Sequence, residues 1–190
     1  MQGWAAFLNG IYGYGWGAQG TWYYTDSFNP EGPSDDGVDT VTTEEKVGTR
    51  WFDAMEFASS YQVGYMRSFM EELEWYNLIP RFNNWAYFVP SSNVYAYCAS
   101  NKANTEMVVY FYSFTDPAVG ERNNTEKNGG ILTGTVGSLV PFAEYTYKWF
   151  NPITGEYTAE GTFKSSALGT WYAELRPDDT DYVLLIRRSS

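Results

Sequence analysis

Val94-Tyr95-Ala96-Tyr97-Cys98-Ala99 and Met107-Val108-Val109-Tyr110-Phe111-Tyr112 are short runs rich in β-branched and aromatic residues. The polar stretch Ser100-Asn101-Lys102-Ala103-Asn104 separates them, and the arrangement predicts a β-hairpin. Further strand candidates follow at 131–135, 143–150, 157–163, 171–175 and 181–187. Short strands with polar turns at regular spacing predict an antiparallel β-sandwich. Asn151-Pro152-Ile153-Thr154-Gly155 predicts a tight turn, because proline presets φ and glycine accepts a positive φ.

Upstream of this region the pattern changes. Trp4, Phe7, Leu8 and Ile11 recur at helical spacing, and Gly10 and Gly13 close that segment. Val63, Met66, Met70 and Leu73 form a second helical stripe, with Ser59 or Ser60 as its expected cap and Pro80 as its stop. Glu71, Glu72 and Glu74 at its end read as a solvated face. Between the helices, residues 25–45 carry Pro30, Gly32, Pro33 and Gly37 among acidic residues and read as a long exposed loop. The expected fold class is therefore α+β, a helical segment over 1–82 followed by an antiparallel sandwich over 83–190.

Composition narrows the chemistry. The chain has 190 residues, 44% of them hydrophobic, enough to bury roughly two-thirds of its unfolded surface. Twelve Lys and Arg against 23 Asp and Glu give a net charge of −11, which disfavours nucleic acid and anionic membrane as partners. No apolar run reaches the roughly 18 residues that a bilayer span needs, and the first residues lack the features of a signal peptide. Histidine is absent, so imidazole zinc sites and Ser-His-Asp triads are excluded. The single cysteine, Cys98, forms no intrachain disulfide.

Aromatic residues make up 19% of the chain, including eight Trp and 17 Tyr. Such rings suit places half apolar and half wet, as the face of a sugar is; their bland use is to fill a β-rich core. The stretch 13–20, with Gly13, Gly15, Gly17 and Gly20, cannot hold a stable helix. Its glycines allow tight curvature while Tyr14, Trp16 and Trp22 project rings. Gln19 offers both a donor and an acceptor to sugar hydroxyls. These four residues are the candidate sugar-binding set, the alternative being that Trp16 and Trp22 pack between helices and sandwich. Asp26 and Glu31 lie nearest to them, but glycosidic acid–base work needs two carboxyl groups at a set separation, and nothing in the sequence selects this pair. Asp35, Asp36 and Asp39, like Asp178, Asp179 and Asp181, do not match a calcium-loop spacing and read as solvated turns. Asn123-Asn124-Thr125 is a sequon of the kind that arises by chance. No metal or other cofactor is expected.

The segment from Trp4 to Trp22, with its Gly-aromatic-Gly run, resembles the late barrel region of the apiosidase-like glycoside hydrolases. Glu74-Trp75-Tyr76-Asn77-Leu78-Ile79-Pro80 is similar to that family's last barrel helix and its exit. Trp149-Phe150-Asn151-Pro152-Ile153-Thr154-Gly155-Glu156 and Asp181-Tyr182-Val183-Leu184-Leu185 are similar to the sandwich that follows the barrel, often labelled a collagen-binding domain. The resemblance implies an exported enzyme acting on plant-type polysaccharide, with Tyr14, Trp16, Gln19 and Trp22 facing the sugar. The family often carries histidine where this chain has aromatics and Ala18-Gln19. A full barrel takes about 250 residues, so the family's acid and nucleophile are expected on strands upstream of Met1, and no catalytic residue is expected in this chain. Two readings follow: a glycosidase portion completed by a companion chain or by a homo-oligomer, or a non-catalytic carbohydrate-binding or structural module.

Overall fold

In the computed structural model the described residues are 2–11, 13, 15, 52, 55–92, 94–113 and 130–189. Strand β4 (Glu106–Phe111) sets the architecture. Met107, Val109 and Phe111 point to one side, Val108 and Tyr110 to the other, and all five are buried. A strand buried on both faces needs a layer above and a layer below.

The strand belongs to a six-stranded antiparallel sheet. Its order is β1 (Ile79–Pro80), β3 (Tyr97–Ser100), β4, β9 (Tyr182–Arg188), β6 (Glu144–Asn151) and β7 (Glu156–Lys164). A second sheet has three strands, β2 (Phe88–Pro90), β5 (Gly134–Val136) and β8 (Trp171–Tyr172), in the order β2-β5-β8. The expected hairpin is present, with Tyr97 opposite Tyr110 and Ser100 opposite Met107. The Asn151–Gly155 turn also forms, as the Asn151 side chain accepts from the Ile153 amide at 2.8 Å and Gly155 takes φ +77°. Aromatic rings join the two sheets: Phe88 lies 5.2 Å from Phe111, Tyr147 lies 5.1 Å from Trp171, and Phe163 lies 3.9 Å from Trp171.

The chain divides into two compact units, Met1–Tyr14 with Tyr65–Ser190, and Gly15–Gly64. Within the first, helix α1 (Gln2–Leu8) and the Tyr65–Glu71 part of helix α2 (Ala58–Glu71) cover the face of the large sheet opposite the small one. Trp4 is the centre of that layer, 5.3 Å from Phe69, 6.1 Å from Phe150 and 6.2 Å from Tyr110. Tyr157 donates its hydroxyl to Glu72 at 2.8 Å, and Arg187 donates to the Glu72 carbonyl at 2.8 Å, which ties α2 to the sheet. The architecture is α+β, a helical layer against an antiparallel sandwich. In the second unit the described part of α2 starts from a turn in which the Ser60 amide bonds the Phe57 carbonyl.

Four local expectations change. Helix α2 begins at Ala58, so Ser59 and Ser60 lie within its first turn instead of capping it. Helix α1 stops at Leu8, because Gly10 turns the chain at φ +89°, and Ile11 is exposed beyond it. Glu72 is not merely solvated, since both its carboxylate and its carbonyl hold the sheet. Pro80 does not end a helix but sits in the edge strand β1 opposite Ala99, where its missing N–H costs no ladder bond.

Candidate functional site

The end of α1 and the 3₁₀ turn Trp75–Asn77 leave between them a cleft of about 200 Å³ at the edge of the large sheet. Ile11, Trp75, Tyr76, Pro80 and Ala99 contribute to its walls, and Asn9 is its polar residue. Gly10 is required here twice over: its φ is positive, and a Cβ on it would come within 2.8 Å of the Pro80 ring. The Asn9 amide nitrogen is held by the Ala5 carbonyl at 2.8 Å. Phe7 supports Trp75 edge-on at 6.0 Å. Among the described residues no carboxylate lines this cleft. It is suited to holding an apolar ring face, and among the described residues its titratable side chain is that of Tyr76.

Several carboxylates elsewhere in the first unit are engaged structurally. Asp181 accepts from the Tyr110 hydroxyl and from the Ser113 amide. Asp178 accepts from the Thr180 amide and hydroxyl, both at 2.7 Å, and from the Tyr182 hydroxyl at 2.9 Å. Partial burial pushes the Asp178 carboxyl up, but the bonds from Thr180 and Tyr182 and the nearby Arg176 hold it below the usual carboxylate range. A general acid needs the opposite shift. Arg176 is buried beside them and donates to the carbonyls of Asp178 at 2.8 Å and Tyr112 at 3.1 Å. The acidic turn 178–181 is therefore a clamp on the sandwich and not only a solvated loop. Glu106 pairs with Arg187 at 2.7 Å, and Glu160 with Lys148 at 3.3 Å. The Cys98 thiol is fully buried, and burial pushes it up to about 12 against the opposing effect of Arg81, so it is no nucleophile.

Tyr14, Trp16, Gln19 and Trp22, with Asp26 and Glu31, lie outside the described residues, as do Asp35, Asp36, Asp39 and the sequon at Asn123. In the sequence, Ile11 of the cleft wall lies two residues before the Gly-aromatic stretch. The sequence reading places Trp75 and Tyr76 in a helix exit and not in a site; the available signal is an adjacent aromatic pair four to five residues before Pro80.

Neither a family model nor a curated protein matches the chain. Solved structures do. One, described as a glycoside hydrolase family 5 protein from Bacteroides vulgatus, matches over 96% of this chain and 33% of its own, at 16% identity and a TM-score of 0.59. Another, described as a glycoside hydrolase, matches over 80% of this chain and 30% of its own, at 16% identity and a TM-score of 0.52. The fold is that of a portion of glycoside hydrolase structures. The chain spans about a third of the length of the structures it matches.

Proposed function

We propose that this chain is the C-terminal portion of an apiosidase-like glycoside hydrolase acting on plant-type polysaccharide, with the catalytic acid and nucleophile carried by the rest of the barrel and not by these residues. The observation that carries this reading is the extent of the structural match, which runs through helices and sandwich alike over 96% of the chain. Among the described residues no carboxylate lines the cleft, which fits a supporting role, as two carboxyl groups flanking a bond are needed for hydrolysis. In this reading Tyr14, Trp16, Gln19 and Trp22 face the sugar in the assembled site.

The test is affinity purification of the chain from its native host, followed by assay on plant-polysaccharide side chains and aryl glycosides. Activity confined to a species that also contains the rest of a barrel of about 250 residues, whether joined to this chain or bound to it, supports the reading. Turnover by the isolated chain that Asp26→Asn or Glu31→Gln abolishes overturns it. A second reading, a non-catalytic carbohydrate-binding or structural module, is favoured by Trp4 and Phe69, which seal the face of the chain's own sheet. A stable, monodisperse chain that recruits no partner selects it.

A further inference from the structure

The register that pairs Ile79 with Ser100 and Pro80 with Ala99 continues past β1. The Arg81 amide bonds the Cys98 carbonyl at 2.8 Å, and the Asn83 amide bonds the Ala96 carbonyl at 3.0 Å. Phe82 thereby comes opposite Tyr97, with Tyr95 as its diagonal neighbour. By the alternation of strands these rings share the sheet face that α1 covers further in. Here no described residue covers them: Phe82 is 43% exposed and Tyr95 61%. Their centroids lie 5.8 Å apart with the planes tilted by 30°, and Phe82 lies 5.3 Å from Tyr97 at 36°. The three rings make a shallow, nearly continuous platform.

The platform is held from behind. Tyr97 packs edge-on against Tyr112 at 5.7 Å, and the Tyr112 hydroxyl donates to the Tyr95 carbonyl at 3.0 Å. Asn83 adopts φ +48°, a conformation that non-glycine residues rarely take, and its Oδ1 accepts from the Ala96 amide at 2.8 Å. Among the described residues its Nδ2 has no protein acceptor, and Asn83 itself is exposed. A rigid aromatic surface with a fixed amide donor at its margin binds without paying to order itself.

We propose that Phe82 and Tyr95, flanked by the Asn83 amide, form a binding surface for a neutral oligosaccharide, made of other residues than those that line the cleft. Ring faces accept the C–H face of a pyranose and the amide donates to a hydroxyl. The net charge of −11 disfavours uronate-rich chains. The glycan class rests on the glycoside-hydrolase reading above; the location rests on the geometry alone.

Calorimetric titration of the full chain with cellohexaose, xylohexaose and hexagalacturonate tests this. At least one neutral hexasaccharide is expected to bind, and Phe82→Ala and Tyr95→Ala each to weaken it about tenfold. Asn83→Asp keeps the acceptor for Ala96 but removes the donor, and is expected to weaken binding with an unchanged melting temperature. Tyr172→Ala, an exposed ring on β8, serves as control and is expected to bind as the parent does. Failure of both neutral sugars to bind, preference for hexagalacturonate, or equal loss in the Tyr172 control overturns the proposal. So does protection of Phe82 and Tyr95 by a co-purified protein in place of sugar. Because the titration needs neither turnover nor a companion, its failure is distinguishable from failure of the catalytic reading.

Discussion

The rings of Phe163 and Trp171 lie parallel, 3.9 Å between centroids and 7° apart in plane, and join the last strand of the large sheet to the small one. Tyr145 extends the stack at 5.4 Å, and Tyr147 closes it 5.1 Å from Trp171. The small sheet has few other ring contacts to the large one, so this stack fastens it. Trp171→Ala is expected to cost about 2–4 kcal/mol, somewhat under the range for a wholly buried Trp because the ring is only partly buried. Urea unfolding followed by circular dichroism measures the loss; a change under 1 kcal/mol on the same scale would show that the sheets hold together without it.

Trp4 does the corresponding work on the other face. It is 5% exposed and touches Phe69, Phe150 and Tyr110. Trp4→Ala is expected to cost about 3–5 kcal/mol. Hydrogen exchange should then quicken in α1 and in the Tyr65–Glu71 part of α2 before it does in β4 and β9. Simultaneous loss of protection in all four elements would contradict this.

Arg176 and Asp179 separate a buried cation from its outermost neighbour. The Arg176 side chain is fully buried, whereas Asp179, 4.0 Å away, is 88% exposed. Arg176→Ala leaves the Tyr112 and Asp178 carbonyls short of a donor, at an expected cost of about 1–3 kcal/mol. Asp179→Ala is expected to cost under about 1 kcal/mol. Chemical denaturation of the two variants side by side checks the contrast.

Asp178 sets a pH dependence whose direction follows from its lowered carboxyl. With the folded value below the unfolded one near 4, its contribution is complete above that pH and is lost as pH falls through the folded value. The melting-temperature gap between the parent and Asp178→Asn should therefore be widest from about pH 5 upward and shrink towards pH 2. A gap that is constant with pH would remove Asp178 from the acid response.

Cys98 offers a direct probe of opening. It is fully buried and its thiol is pushed up to about 12. Labelling by a disulfide reagent at pH 8 is expected to proceed at the rate of unfolding and to rise with urea. Prompt labelling in native buffer would mean that β3 opens on its own.

Much of this fold was legible in the residues. Runs of β-branched and aromatic residues marked β3 and β4, and the Asn151–Gly155 turn followed from its proline and glycine. Strands β1 and β2 escaped notice because they are two and three residues long and each contains a proline. Their pairing comes from tertiary context, with β1 lying along β3 and β2 along β5. Phe69, wholly buried, was missing from the expected helical stripe, since the contacts that bury it come from Trp4 and Phe150 far along the chain. The aromatic excess carried least information about the site. The same residue type fills the core at Trp149 and stands in solvent at Tyr95, and only the neighbours distinguish the two.

The large sheet ends differently on its two sides. On one, the paired edge runs from Ile79 to Asn83, and Pro80, whose backbone faces outward there, has no N–H to offer another strand. On the other, β7 runs for nine residues with no outer partner among the described residues, mostly exposed and carrying Glu156, Glu160 and Lys164. Concentrated solutions of this protein are thus protected at one border by shape and at the other by charge. Salt, which screens charge and leaves shape untouched, should bring out self-association along β7 first, making ionic strength the condition to control in storage and crystallisation.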